Sequence, residues 1–201
     1  MRGIPFRQKA ARKRLDAIRG WSGRADPESL SLLRQFLKDE NEDVRRHAAR
    51  ALATTEEILR ERIRASEREA LASIPSGAAW HAVGEACLAM ARFQDSIPVL
   101  QDHYLQGAVT ALTRALQYET RSDWMLALAH AHELGRQWSQ AEAVARRLLD
   151  KDPFSTRSLL LLARLSYRMG RLSEARLFMH RLSRVPDLDA EKKDWVQAWS
   201  G

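Results

Sequence analysis

The chain has 201 residues, 45% of them hydrophobic and 29% charged, with a formal net charge of +7. That suits one ordinary domain or one elongated array, and the dominance of Ala, Leu, Arg and Glu over 9 Gly and 6 Pro is an all-helical composition. A single cysteine, Cys87, excludes an internal disulfide or Cys-rich zinc site; no stretch reaches the ~20 apolar residues of a membrane span, and the opening MRGIPFRQKAARKR has no signal-peptide core, so the chain is expected to be soluble and intracellular.

Residues 1–24 read as a basic arm and linker. Arg2, Arg7, Lys9, Arg12, Lys13, Arg14 and Arg19 stand against one acid, Asp16, so residues 1–20 carry +6 of the total charge. The remainder is nearly neutral and is not a basic nucleic-acid-binding surface. Residues 7–20 form a short helix ended by Gly20, and GWSGRADP links it to the next helix. The arm has three readings: a solvated, frayed helix; a contact to anionic lipid headgroups, at ~1 kcal/mol per Lys or Arg near the surface; or a contact to nucleic acid. Lipid is favoured over nucleic acid, because nothing else in the chain adds basic surface or a groove-reading motif. The basic residues singled out for the membrane-proximal role are Arg7, Lys9, Arg12, Lys13 and Arg14.

Residues 25–75 begin with Asp26, which caps a helix whose first residue is Pro27. Leu30, Leu33, Phe36 and Leu37 line one face. LKDENEDVRRHAARALA then resembles a HEAT-type repeat. Asp39 and Asp43 are expected to cap its second helix, Val44, Ala48, Ala51 and Leu52 make a narrow inner stripe, and Arg45 bonds to the turn. A long polar helix, 55–73, is expected to start at a Thr54 or Thr55 cap; its Glu/Arg pairs read as a solvated face.

Residues 76–187 carry internal repetition. Leu128-Ala129 recurs as Leu162-Ala163, Trp138 as Leu172, Ala141 as Ala175 and Leu148 as Leu182, each 34 residues on. The copies are DWMLALAHAHELGRQWSQAEAVARRLLDKDP and TRSLLLLARLSYRMGRLSEARLFMHRLSRVP. A period of ~34 with small residues at fixed offsets and a closing Pro is the tetratricopeptide repeat (TPR) signature. Trp80-x-x-Val83-Gly84-x-x-Cys87 fits the first helix of such a unit, while Ala108, Leu112 and Ala115 of its second helix come about 12 residues late. The expectation is one stretched repeat, 77–120, then regular ones at 122–155 and 156–187. Residues 188–201 read as a capping helix, with Trp195 and Trp199 one turn apart over the exposed terminal edge. The fold class expected is all-α: a right-handed TPR-like superhelix with an N-terminal HEAT-like helix pair.

No reaction centre is legible. His47, His81, His103, His130, His132 and His180 form no metal-ligand spacing, and there is no phosphate loop or nucleophile elbow. The acids Asp150 and Asp152 belong to the turn before Pro153. No enzyme activity, metal or cofactor is expected. A binding groove is expected where the first helices of TPR pairs face the concave side: His81 and Glu85, then Leu126, His130 and Glu133, then Arg157, Leu160, Arg164 and Tyr167. Leu126 and Leu160 either contact a partner or pack between neighbouring helices; both readings stand. Arg and Tyr are types enriched in interfaces.

The order of parts adds a resemblance. A basic arm, then DENEDVRRHAARAL, then a long E/R-rich helix, then a stretched helix pair carrying HYLQGA at 103–108, then two regular repeats is similar to the cytoplasmic part of the PelE family of the bacterial Pel exopolysaccharide synthase, over roughly residues 25–185. The resemblance implies a non-enzymatic scaffold at the inner face of the cytoplasmic membrane, acting in biofilm-matrix secretion. It implies as partners PelD, the membrane-bound cyclic-di-GMP receptor, the glycosyltransferase PelF, and PelG. That family carries transmembrane helices before the soluble region, and no such segment is read here; the Arg and Lys excess of residues 1–20 suits the flank of a span. The alternative is a soluble TPR adaptor or assembly chaperone that binds peptides without a membrane role.

Overall fold

The computed structural model describes residues 4–72 and 76–185, with side chains from residue 11 onward. The described residues fall into two compact units: residues 4–72 with Glu85–Tyr104, and Ser76–Gly84 with residues 105–185.

The first unit opens with α1 (Ile4–Trp21), α2 (Pro27–Phe36) and α3 (Glu42–Ala70). Asp26 caps α2: its carboxylate accepts the Ser29 N–H at 2.9 Å and the Ser29 hydroxyl at 2.8 Å, with Pro27 at the first helical position. The cap of α3 is Asn41, which accepts the N–H groups of Asp43 and Val44 at 2.9 and 3.2 Å. This corrects the expectation for Asp39 and Asp43. Asp39 instead closes the preceding turn by accepting the Asn41 N–H, and Asp43 sits in the first turn of α3, where its charge meets the positive end of the helix dipole. The Arg45 guanidinium donates to the Asp39 and Glu40 carbonyls at 2.7 and 3.1 Å.

No helix starts at Thr54 or Thr55. Residues 42–70 contain neither Gly nor Pro, so nothing breaks the ladder, and α3 runs through for 29 residues. Thr55 is fully buried. Its hydroxyl donates to the Ala51 carbonyl at 2.9 Å and accepts the Gly23 N–H at 3.0 Å. Gly23 has φ 81°, in the left-handed region that glycine enters without a Cβ clash, so the α1–α2 turn is pinned to the middle of α3.

From Ala11 onward the N-terminal helix is packed. Ala11 and Ile18 of α1 share a core with Leu33, Val44, Ala48 and Ala51, and Trp21 stacks on Phe36 with ring centroids 5.9 Å apart. A frayed arm would require both faces to be polar; Ala11, Leu15 and Ile18 instead recur at three- and four-residue steps and bury one face. The boundary expected at residue 24 is therefore crossed by a core.

Two helices follow, α4 (Gly77–Phe93) and α5 (Pro98–Tyr118), and each supplies residues to both units. Within the first unit, Arg34 of α2 donates to the Phe93 carbonyl at 2.6 Å and pairs with Asp95 at 2.9 Å. Gln94 donates to Glu56 of α3 at 3.3 Å. The turn between α4 and α5 is thus held by side chains of the HEAT-like segment, and Pro98, with no N–H to leave unpaired, opens α5.

In the second unit, Gly84 of α4 meets α5 closely. A Cβ on Gly84 would lie 2.5 Å from Leu112 Cγ, so only glycine permits this approach. Then come α6 (Ser122–Leu134), α7 (Trp138–Lys151), α8 (Thr156–Arg168) and α9 (Leu172–Ser183). Small residues Ala129, Ala141, Ala145 and Ala163 and larger Leu159, Leu162, Leu165, Phe178 and Leu182 form one core cluster. The α6–α7 and α8–α9 turns have the same form. The Gln137 N–H bonds to the His132 carbonyl and the Arg171 N–H to the Ser166 carbonyl, both at 2.8 Å. These close over Arg136 at φ 56° and Gly170 at φ 75°, the left-handed residue that ends many helices. Carboxylates Glu142 and Glu174 interlock with Arg146 and Arg171, tying α7 to α9. The segment 188–201, with Trp195 and Trp199, lies outside the described residues, as does Pro186.

Candidate protein-interaction surface

The residues expected to line a groove occupy unlike environments. His81 is half-buried and lies flat on Trp124, with centroids 5.3 Å apart and planes at 17°. Trp124 carries the Arg121 guanidinium 5.1 Å from its centroid. Arg121 is fixed in turn by two 3.2 Å bonds to Asp123, and those bonds hold the Asp123 carboxyl below its ordinary range. Glu85 is half-buried and belongs to the first unit.

On α6 and α8 the central feature is an ion pair. Arg164 makes a bidentate contact to Glu133, with Nε–Oε1 and a second N–H···Oε2 both at 2.6 Å. His130 Nδ1 lies 3.3 Å from the same carboxylate. The Glu133 side chain is only 8% exposed. Burial is the largest influence on this carboxyl and would raise its pKa; the His130 and Arg164 bonds together outweigh it and hold the group below its ordinary value. Glu133 and Arg164 are therefore engaged with each other, joining the first helices of successive repeats.

Leu126 and Leu160 are half-buried and rest on the core cluster. They combine the two readings open in the sequence: part of each side chain packs inward and part reaches solvent. Arg157 is exposed, and Tyr167 is 54% exposed. Of the residues that α6 and α8 leave accessible, Leu126, Arg157, Leu160 and Tyr167 belong to the groove expected from the sequence, beside the Glu133–Arg164 pair.

Of the basic residues, Arg12 and Lys13 are exposed on α1, whereas Arg14 is half-buried, facing Asp39 at 3.2 Å and Glu40 at 4.0 Å. Arg7 and Lys9 lie on α1 with side chains outside the described set. Sequence reasoning missed Trp124 as the plate under His81 and Arg121. The signal was present in Gly77, whose Cβ would sit 2.7 Å from the Trp124 ring, but it needs the fold to be read. It also missed the role of Arg164, because nothing in the spacing of Glu133 and Arg164 shows that their helices adjoin. Among the described residues no cluster of His, Cys, Asp or Glu has the form of a metal site, and no helix is long and apolar enough to cross a membrane. Cys87 is buried, which pushes its thiol up to about 11; such a thiol is a poor nucleophile.

These features define an all-α helical-repeat protein, TPR-like in its paired helices and HEAT-like at its N-terminus. The family model for HEAT repeats matches residues 7–74. The solved structure of a thermophilic TPR protein from Thermus thermophilus is similar to this chain, with a TM-score of 0.57 at 19% identity, over 94% of this chain and 98% of that one. No curated protein matches the chain in sequence.

Proposed function

We propose that this protein is a non-enzymatic scaffold that binds a protein partner along the strip of Leu126, Leu160, Arg157 and Tyr167. The observation that carries the reading is the pairing of Glu133 with Arg164. It neutralises the buried Glu133 charge on that face and leaves apolar edges flanked by an exposed arginine and a tyrosine, two residue types enriched at interface centres. Stacked helix pairs present such surfaces as a matter of architecture.

The finer reading places the scaffold at the cytoplasmic face of the bacterial inner membrane, in a Pel-like exopolysaccharide synthase with a PelD-like cyclic-di-GMP receptor and PelF/PelG-like components as partners. Its support is the order of parts along the chain and the exposure of Arg12 and Lys13. Two measurements with the full chain test it. Pull-down of a PelD-like cytoplasmic domain should be lost in Leu160→Glu and weakened in Arg157→Glu; capture unchanged by both variants removes this strip from the reading. Co-sedimentation with phosphatidylglycerol-containing vesicles should fall in the Arg12→Gln/Lys13→Gln variant, which spares the Ala11 and Ile18 core contacts. Equal sedimentation of variant and wild type, or none by either, removes the membrane role.

A further inference from the structure

The near-neutrality of residues 21–201 hides a separation of charge. Residues 21–104 hold 11 Lys and Arg against 14 Asp and Glu, whereas residues 105–185 hold 13 against 7. The imbalance is steepest at the end of the second unit, where seven arginines stand between Pro153 and Val185 against one acid, Glu174. Helix α8 holds three of them, Arg157, Arg164 and Arg168, and no acid.

The fold gathers these three on one face. The α8 positions that are not buried are Thr156, Arg157, Leu160, Arg164, Tyr167 and Arg168. They recur at three- and four-residue steps, which a helix turns into a single stripe. The acids of α6, α7 and α9 in this unit are largely engaged: Glu133 with Arg164, Asp123 with Arg121, and Glu142 and Glu174 with Arg171. Among the described residues Arg157 has no hydrogen bond or ion pair, and Arg168 rests over the Trp138 ring at 5.3 Å with no ion pair. The two stand eleven residues apart, about 16 Å along the helix. Between them lies the half-buried Leu160, with the half-buried Leu126 on the adjoining α6.

We propose that the partner segment bound on this face is an amphipathic helix with acidic flanks, its apolar stripe on Leu126 and Leu160 and its carboxylates toward Arg157 and Arg168. The inference rests on the scaffold reading and names the chemistry of the partner. Charge selects the sign, because a face with two uncompensated arginines repels a basic segment and draws an acidic one. The backbone selects the form. Helices α6 and α8 use their N–H and C=O groups internally and offer none to an extended chain, whereas a helix arrives with its own already paired. Two acids eleven residues apart on such a helix share one face and repeat the spacing of Arg157 and Arg168. Since both arginines are exposed, they act by speeding encounter and fixing orientation more than by holding the complex.

Fluorescence anisotropy with the full chain tests it. The probes are two labelled helical peptides with the same leucine stripe, one flanked by Glu and the other by Gln, with blocked ends. At low salt the Glu peptide should bind about fivefold more tightly, the size of two solvent-exposed ion pairs. The difference should close toward 1 M salt, where the screening length falls to about 3 Å. Arg157→Gln/Arg168→Gln should bring the Glu peptide down to the affinity of the Gln peptide, chiefly through slower association. Leu160→Ala should weaken both peptides alike. A central proline in the Glu peptide should abolish its binding; retained binding overturns the helical occupant. Equal binding of the Glu and Gln peptides, both lowered by Leu160→Ala, overturns the acidic partner and leaves the scaffold reading standing. No binding of either peptide overturns the proposal, as does capture by phosphatidylglycerol vesicles that is lost in the double arginine variant, which assigns the arginines to lipid.

Discussion

Removing Arg164 would expose what the Glu133 pair contributes. Glu133 is 8% exposed and Arg164 43%. Deleting the partner of a fully buried ion costs about 3–5 kcal/mol, while an exposed pair is worth about 0–1 kcal/mol. Here one partner is buried, the other is half in water, and His130 stays 3.3 Å from the carboxylate, so Arg164→Ala should destabilise by about 2 kcal/mol at pH 7. With a urea slope of about 2 kcal/mol/M, the unfolding midpoint followed by circular dichroism should drop by roughly 1 M. The pH dependence fixes the mechanism. In the wild type the Glu133 pKa is lowered from its ordinary 4.5, so its stabilisation is present above 4.5 and lost as pH falls through the lower folded value. In Arg164→Ala, burial acts on Glu133 with only His130 opposing it, and protonation relieves the penalty. The deficit should therefore shrink as pH falls from 7 toward 4. The double variant Glu133→Gln/Arg164→Leu should cost less than the sum of its single changes. A deficit under about 0.5 kcal/mol at pH 7, or one that grows on acidification, would refute the account.

Three further outcomes rest on single contacts. Thr55→Val keeps the shape of the buried side chain but strands the Gly23 N–H, and should lower stability by about 1–3 kcal/mol in chemical unfolding; a neutral result would show that water reaches that amide. Arg136→Gly relieves a left-handed non-glycine residue at the α6–α7 turn and should raise the thermal midpoint, with a gain of about 1 kcal/mol; a loss would mean the Arg136 side chain matters more than its backbone. Gly84→Ala gains about 1 kcal/mol of helix propensity but drives a methyl into Leu112, and overpacking of about 1–3 kcal/mol should leave a net loss. Leu112→Ala added to Gly84→Ala should then cost less than in the wild-type background, and simple additivity would show that α4 and α5 do not meet as closely as described.

Much of the architecture is written in local pattern. The 34-residue recurrence of Leu128-Ala129 and Ala141, the Asp26-Pro27 start and the Val44-Ala48-Ala51 stripe each specify helices and their buried faces through spacing alone, because helical geometry converts sequence intervals into faces. Where the local signals competed, the sequence was ambiguous. Asp39, Asn41 and Asp43 are all good caps, and only the turn geometry chose Asn41. Thr54 and Thr55 read as a helix start, yet with no Gly or Pro nearby the helix continued and Thr55 became a buried anchor for Gly23. The packing of α1 was masked by its charge, since Arg12, Lys13 and Arg14 outweigh by eye the thin stripe of Ala11, Leu15 and Ile18.

The tertiary structure decided which charges are spent and which remain available. Glu133 and Arg164 are 31 residues apart, and Glu142 meets Arg171 across 29; such pairs exist only once successive hairpins lie side by side, because no helical interval brings them together. Periodicity in the chain dictates the helices and which way they face, whereas the contacts between neighbouring pairs, fixed by close packing of unequal side chains, determine where this surface is neutral and where it is apolar.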